Sequence, residues 1–225
     1  MSLRLRRSRR PLHLLHIGKT GGTAVRTAIG GRKTRDYEVV VHGHDDTLPD
    51  VPSGDQVIFF VRDPVTRFVS AFYSRQRQGR PLTFHPWTEG EEKAFTTFDG
   101  PGDLARALAA GDEAARDAMA AIRHVREPLS KWLVGDDYLR SRLDDVYFVG
   151  SQEHLDDDFA RLKEMLGLPG RVRLPSDDVA AHRNPPGLDY ALDDVGLQNV
   201  RSWYADDYAL LDVLARAFPN LPAYR

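Results

Sequence analysis

The residues best suited to chemistry lie in three short segments. Gly18, Lys19, Thr20, Gly21, Gly22 and Thr23 (GKTGGT) stand between an apolar run and a helix-compatible stretch. Backbone N–H groups in such a turn can converge on an anion, and the N-terminus of the next helix adds partial positive charge. Lys19 supplies a full charge, and Thr20 and Thr23 offer hydroxyls. A Walker A loop would need a glycine five positions before Gly18, where His13 stands, so the segment is a different turn. A phosphate or sulfate cradle is expected; an ordinary tight turn is the plainer alternative.

The second segment is RDPVTRFVS, 62–70. Arg62 closes an apolar run and Ser70 lies two helical turns into the following helix, with Arg67 one turn before it. A guanidinium fork with a hydroxyl suits a terminal phosphate, whereas a surface ion pair would be the ordinary use of the arginine. Asp63 reads as a helix cap. The third segment is His42-Gly43-His44. An imidazole of ordinary pKa is a natural base toward a hydroxyl, and Gly43 allows a turn that would bring both rings to one cleft. With Asp45 and Asp46 behind it, the pair has metal-ligand chemistry, but no third histidine follows at close spacing, so no metal is expected. Two solvated histidines at a strand end are the remaining alternative.

Alternating strands and helices must position these residues. Strands are expected at 12–17, 37–42, 56–61 and 146–149, and helices at 23–29, from 64 onward, 112–125, 155–166 and 195–218. Asp63 and Pro64 mark a helix start, and Val65, Phe68, Val69 and Phe72 give it an apolar face. Residues 79–102 read as a loop or lid and 169–189 as a polar loop. The pattern predicts an α/β fold with a mainly parallel sheet flanked by helices, in which Arg62 leaves the sheet at its carboxyl edge.

In this order, HIGKTGGT and FFVRDPVTRFVSAFY resemble the sulfotransferases that use 3′-phosphoadenosine-5′-phosphosulfate, and most nearly the carbohydrate group of the heparan sulfate 2-O type. The resemblance implies the P-loop-like sulfotransferase fold. It implies that Gly18 to Thr23 hold the 5′-phosphosulfate, that Arg62 and Ser70 hold the 3′-phosphate, and that Lys19, His42 and His44 are catalytic. VYFVGSQEHLDDDFARLKEMLGL (146–168) is similar to the family's strand–Gly–x–x–Glu–helix segment, and His182-Arg183-Asn184 to a loop that closes over the nucleotide. The activity implied is in-line transfer of a sulfuryl group to a hydroxyl acceptor, a sugar or other small molecule, without a metal. A nucleotide or nucleoside kinase and a non-catalytic nucleotide-binding module are the alternatives. Residues 79–135 match nothing in the family pattern and are expected to carry acceptor specificity.

Composition bounds the rest. The 225 residues carry 31 Lys+Arg, 33 Asp+Glu and no cysteine, which excludes a disulfide framework, thiolate metal sites and a cysteine nucleophile. Residues 1–11 read as a basic, disordered tail and 12–225 as a single domain. The acidic body argues against a nucleic-acid groove, and the apolar runs are too short to span a membrane. A cytoplasmic enzyme of bacterial type, with a glycan or similar hydroxyl compound as partner, is expected.

Overall fold

The structure is a computed structural model describing residues 9–81, 83–177 and 191–224. Four strands, β1 (Arg10–Leu14), β2 (Tyr37–Val41), β3 (Gln56–Val61) and β4 (Val146–Ser151), form one sheet in the order β2-β1-β3-β4. Every pairing is parallel. The flanking helices are α1 (Gly22–Ile29), α2 (Pro64–Gln76), α3 (Glu89–Thr97), α4 (Pro101–Ala107), α5 (Glu113–Ala121), α6 (Ser130–Leu133), α7 (Asp136–Ser141), α8 (Leu155–Met165), α9 (Asp194–Trp203) and α10 (Ala205–Ala217).

The apolar run of β3 serves both faces of the sheet, as its period of two dictates. Ile58 and Phe60 join Leu12, Leu14 and Phe148 under α1 and α8. Val57, Phe59 and Val61 join Val149 under α10, with Trp132 and Leu133 of α6. A second layer of helices packs α2 on α3, α4, α5 and α9 through Phe68, Phe72, Phe95, Leu104, Met119 and Val200.

This topology decides where a site can form. From β1 the chain crosses through α1 to β2 on one side, and then returns to β3 on the other. The loops after β1 and β3 therefore leave the carboxyl edge in opposite directions and open a crevice between them. Both arginine- and lysine-bearing segments lie there.

Several boundaries differ from expectation. The first strand begins at Arg10, so Arg10 and Pro11 pair with Tyr37 and Glu38 and belong to the sheet. Leu15, His16 and Ile17 already lie in the following loop. Residues 79–102 are not one loop: Thr88 and Glu91 form a capping box that starts α3, and Pro101 starts α4. The final helical region breaks at Tyr204 into α9 and α10. The expected tail up to residue 8, and His182-Arg183-Asn184, lie outside the described residues. Among the described residues no helix is long and apolar enough to cross a membrane.

Candidate active site

The loop between β1 and α1 is held in a backbone conformation that few sequences tolerate. Lys19 has φ 68° and Gly21 φ 84°, both left-handed. Glycine adopts that region freely, but a lysine there is strained by about 1–2 kcal/mol. Thr20 is fully buried and donates its hydroxyl to the Ile17 carbonyl, so it braces the turn from within. Gly18 and Gly22 let two imidazoles approach. A Cβ on Gly18 would lie 3.1 Å from His124 Nδ1, and one on Gly22 would lie 2.5 Å from His16 Cδ2. α1 begins at Gly22 behind Gly21, which offers no side-chain cap, and Thr23 stands in its first turn.

Cations gather on this loop. Arg62, at the end of β3, donates to Thr66 Oγ1 at 2.9 Å and reaches the Lys19 carbonyl at 3.4 Å. Thr66 and Ser70 are one turn apart on α2, so Arg62, Thr66 and Ser70 follow one helix face away from the loop. Ser70 is buried. Arg67, also buried, donates to the Gly18 carbonyl at 2.9 Å and the Glu127 carbonyl at 2.5 Å, with its guanidinium 5.3 Å from the Trp132 ring centre. Arg67 therefore braces the loop through its main chain. Burial, and then the charges of Arg62, Arg77 and Arg67, lower the Lys19 ammonium from 10.5 to about 7. A lysine so depressed among guanidinium groups marks a site shaped for a strongly anionic ligand.

The two histidines of the HGH turn part company. His42 Nε2 lies 2.8 Å from His13 Nδ1, and its Nδ1 lies 3.3 Å from Asp46. His13 in turn lies 3.4 Å from Asp55. His44 instead stacks on His16 at 3.9 Å between ring centres and stands 6.0 Å from His124. The Trp132 indole donates to the His44 carbonyl at 2.8 Å and fixes that turn. Burial, then the Arg123 charge, lowers the His44 pKa. Thus His44 lies with His16 and His124, the two rings that pack on Gly22 and Gly18, whereas His42 belongs to a separate row with His13, Asp46 and Asp55.

His16, Thr66, Arg77, His124 and Glu127 are site residues that sequence reasoning passed over. His124 and Glu127 lie three apart, a spacing that signals side-chain contact on a turn, and their Nδ1–Oε2 distance is 2.8 Å. Burial, followed by the charges of Lys19 and Arg123, brings His124 down to about 4 against the opposing pull of Glu127. Burial pushes Glu127 up, but His124 and Lys131 outweigh it and hold the carboxylate at about 2. Glu153 is a fixture of the site's floor. It accepts from the Asp63 N–H at 3.0 Å and from Ser151 Oγ at 2.7 Å, tying the end of β3 to that of β4.

The residues present fit a nucleotide carrying two separated anionic groups: Lys19 and an uncapped helix start at one end, Arg62 and the Thr66–Ser70 face at the other. In comparisons with known proteins, no curated protein matches the chain. A family model described as "Sulfotransferase family" matches residues 55–212, which takes in β3, Arg62, Ser70, His124, Glu127 and Glu153.

Proposed function

The chain belongs to the sulfotransferase family and is by that membership an enzyme that transfers sulfate, and from this premise we propose that its donor is 3′-phosphoadenosine-5′-phosphosulfate and its acceptor a hydroxyl compound. The observation that carries the donor assignment is the convergence of Lys19, Arg62, Arg67 and Arg77 on the glycine-rich loop. When bound, the donor supplies a sulfuryl group on a nucleotide leaving group. The chain supplies position and charge, which is most of what such a transfer needs.

Lys19 and the first N–H groups of α1 hold the 5′-end, and the ammonium offsets negative charge that builds on the leaving oxygen. Arg62 and Ser70 take the 3′-phosphate, with Thr66 keeping the guanidinium against α2. An imidazole of the ring cluster takes the acceptor's proton. The resemblance marks His42 and His44 for this step, and of the two His44 lies with the rings that pack on the loop, while His42 steadies the turn through His13 and Asp46. No metal enters this reading, because the lysine and guanidinium groups supply the positive field. A sugar is the acceptor class implied by the likeness to the carbohydrate members, and the heparan sulfate 2-O kinship and a cytoplasmic setting belong to the same proposal.

Thermal unfolding with 3′-phosphoadenosine-5′-phosphate against ATP with Mg²⁺ tests the donor. At about 100 times its dissociation constant the ligand adds about 2.7 kcal/mol of stability. Stabilisation by the bisphosphate alone supports the reading. Stabilisation by ATP–Mg²⁺ alone would make the protein a kinase-type binder and sink it. Transfer of labelled sulfate into a panel of mono- and oligosaccharides then separates an enzyme from a binding module.

A further inference from the structure

We propose that the proton acceptor of the transfer is His124, oriented and electrostatically compensated by Glu127, with His44 placing the acceptor hydroxyl beside it. The proposal rests on the sulfotransferase reading above and moves the base from the HGH turn to the segment after α5, where His124 stands.

Four observations support it. First, Glu127 Oε2 accepts from His124 Nδ1 at 2.8 Å, which fixes the tautomer and leaves the lone pair on Nε2. At His44, by contrast, Nδ1 is buried and meets no hydrogen-bond partner among the described residues, so no carboxylate steadies that ring through Nδ1 as Glu127 steadies His124. Second, His124 stands against the loop itself, its Nδ1 3.1 Å from the position of a Gly18 Cβ. Third, its backbone is held at φ 68° without being glycine, a strained conformation maintained by its surroundings. Arg67 on the Glu127 carbonyl and Glu91 on the Arg123 N–H are two of the contacts that maintain it. Fourth, a proton arriving beside Lys19 adds positive charge where positive charge is already concentrated. Only a carboxylate bonded to the ring makes that arrival tolerable, and Glu127 is that carboxylate.

The step balances. The acceptor O–H bond breaks and its proton goes to His124 Nε2. An O–S bond forms to the sulfuryl group, and the S–O bond to the 5′-phosphate breaks with its electron pair leaving on the nucleotide. The charged and titratable groups that face His124 are Glu127 and Arg123 from its own segment, Lys19 from the loop after β1 and His44 from the loop after β2, with Lys131 reaching it through Glu127. Burial, more than the Lys19 charge, keeps His124 neutral; an anionic nucleotide near Lys19 offsets the lysine's part of that shift and moves the His124 pKa upward.

The experiment has an acceptor-free arm and a turnover arm. Ring ¹⁵N spectra of the whole protein should show His124 as the Nδ1–H tautomer, with its ionisation moving to higher pH when 3′-phosphoadenosine-5′-phosphate is added and to lower pH in Glu127→Gln. In single turnovers of labelled donor with water as the acceptor, His124→Asn should slow sulfate release on the order of 10²–10⁴-fold. Glu127→Gln, which keeps a hydrogen-bond acceptor but not the charge, should slow it at least tenfold. Both should bind the bisphosphate as the wild type does, a check that they are folded, and the low-pH limb of the rate should vanish in His124→Asn. If that limb is lost in His44→Asn and retained in His124→Asn, or if the ring tautomer is Nε2–H, the proposal is overturned. A wild type that binds the bisphosphate yet cleaves donor no faster than buffer overturns the base assignment alone. Failure to bind the bisphosphate at all overturns the sulfotransferase donor reading beneath it.

Discussion

Removing the charge of Lys19 should stabilise the fold while disabling the site. Methionine at position 19 keeps the length of the side chain and the left-handed backbone strain, so Lys19→Met isolates the ammonium. The fall from 10.5 to about 7 sets a ceiling of about 5 kcal/mol on the cost of the charge, at about 1.36 kcal/mol per pH unit. Lys19 is partly exposed, so solvent and counter-ions screen most of that and leave about 1–2 kcal/mol. For a chain of this size the gain in Tm is roughly 2–8 °C. The sign in pH follows from proton linkage. The folded pKa lies below the unfolded one, so between about 7 and 10.5 the unfolded chain binds more protons and the wild type gains stability as pH rises. The advantage of Lys19→Met is therefore full below pH 7 and shrinks toward pH 10.5. Sulfate in the buffer should also narrow it, by seating an anion in the wild type. The assay is thermal unfolding of both proteins from pH 6 to 10, with and without sulfate. A variant that melts below the wild type at pH 7, or an offset that ignores pH, would refute the claim that burial and the neighbouring guanidinium groups disfavour the Lys19 ammonium.

Arg62→Ala should weaken binding of 3′-phosphoadenosine-5′-phosphate by about 1.5–3 kcal/mol but spare adenosine 5′-phosphosulfate; calorimetry showing equal losses would mean that Arg62 does not read the 3′-phosphate. The Arg75–Glu91 pair is buried and bidentate, at 2.7 and 2.6 Å, so Glu91→Ala strands a guanidinium and should cost about 3–5 kcal/mol in urea unfolding; a loss below 1 kcal/mol would deny the pair its role in seating α3 on α2. Gly22→Ala would gain helix propensity of about 0.5–1 kcal/mol, yet its Cβ meets His16 at 2.5 Å. The expected outcome is a shifted His44 ring resonance together with a lower Tm, and an unchanged resonance with a higher Tm would contradict it.

The parts of this molecule that could be read from its sequence are those whose causes are local. Gln56–Val61 has the extent its composition predicts, because a six-residue run rich in β-branched and aromatic side chains is too short for a typical helix and suits a strand covered on both faces. Asp63 and Pro64 start α2 as expected, with the Asp63 carboxylate accepting from the Val65 and Thr66 N–H groups. The closeness of Arg62 to Lys19 follows from strand order, since β1 and β3 are neighbours. What was illegible depends on long-range contacts. His124 reaches Gly18 because Arg67 bridges residues 49 and 60 positions away, and no spacing rule contains that bridge. The divergence of His42 and His44 is of the same kind: the β1–β2 register sets His13 beside His42, while His16, three residues on, claims His44. The α3 helix was hidden by Gly, Pro and Thr in its flanks, though its capping residues, Thr88 and Glu91, were there to be read.

Arg67 fastens the loop after β1 to the segment carrying His124 by donating, among the described residues, to main-chain carbonyls, those of Gly18 and Glu127. A peptide oxygen is present whatever side chain its residue bears. The joint between that loop and the segment after α5 is therefore indifferent to side-chain identity at most positions, so surface residues of α3 to α5 can be exchanged without loosening it. Replacing those surfaces while leaving Arg67, Trp132 and the Arg75–Glu91 pair untouched should leave the loop after β1 where it stands.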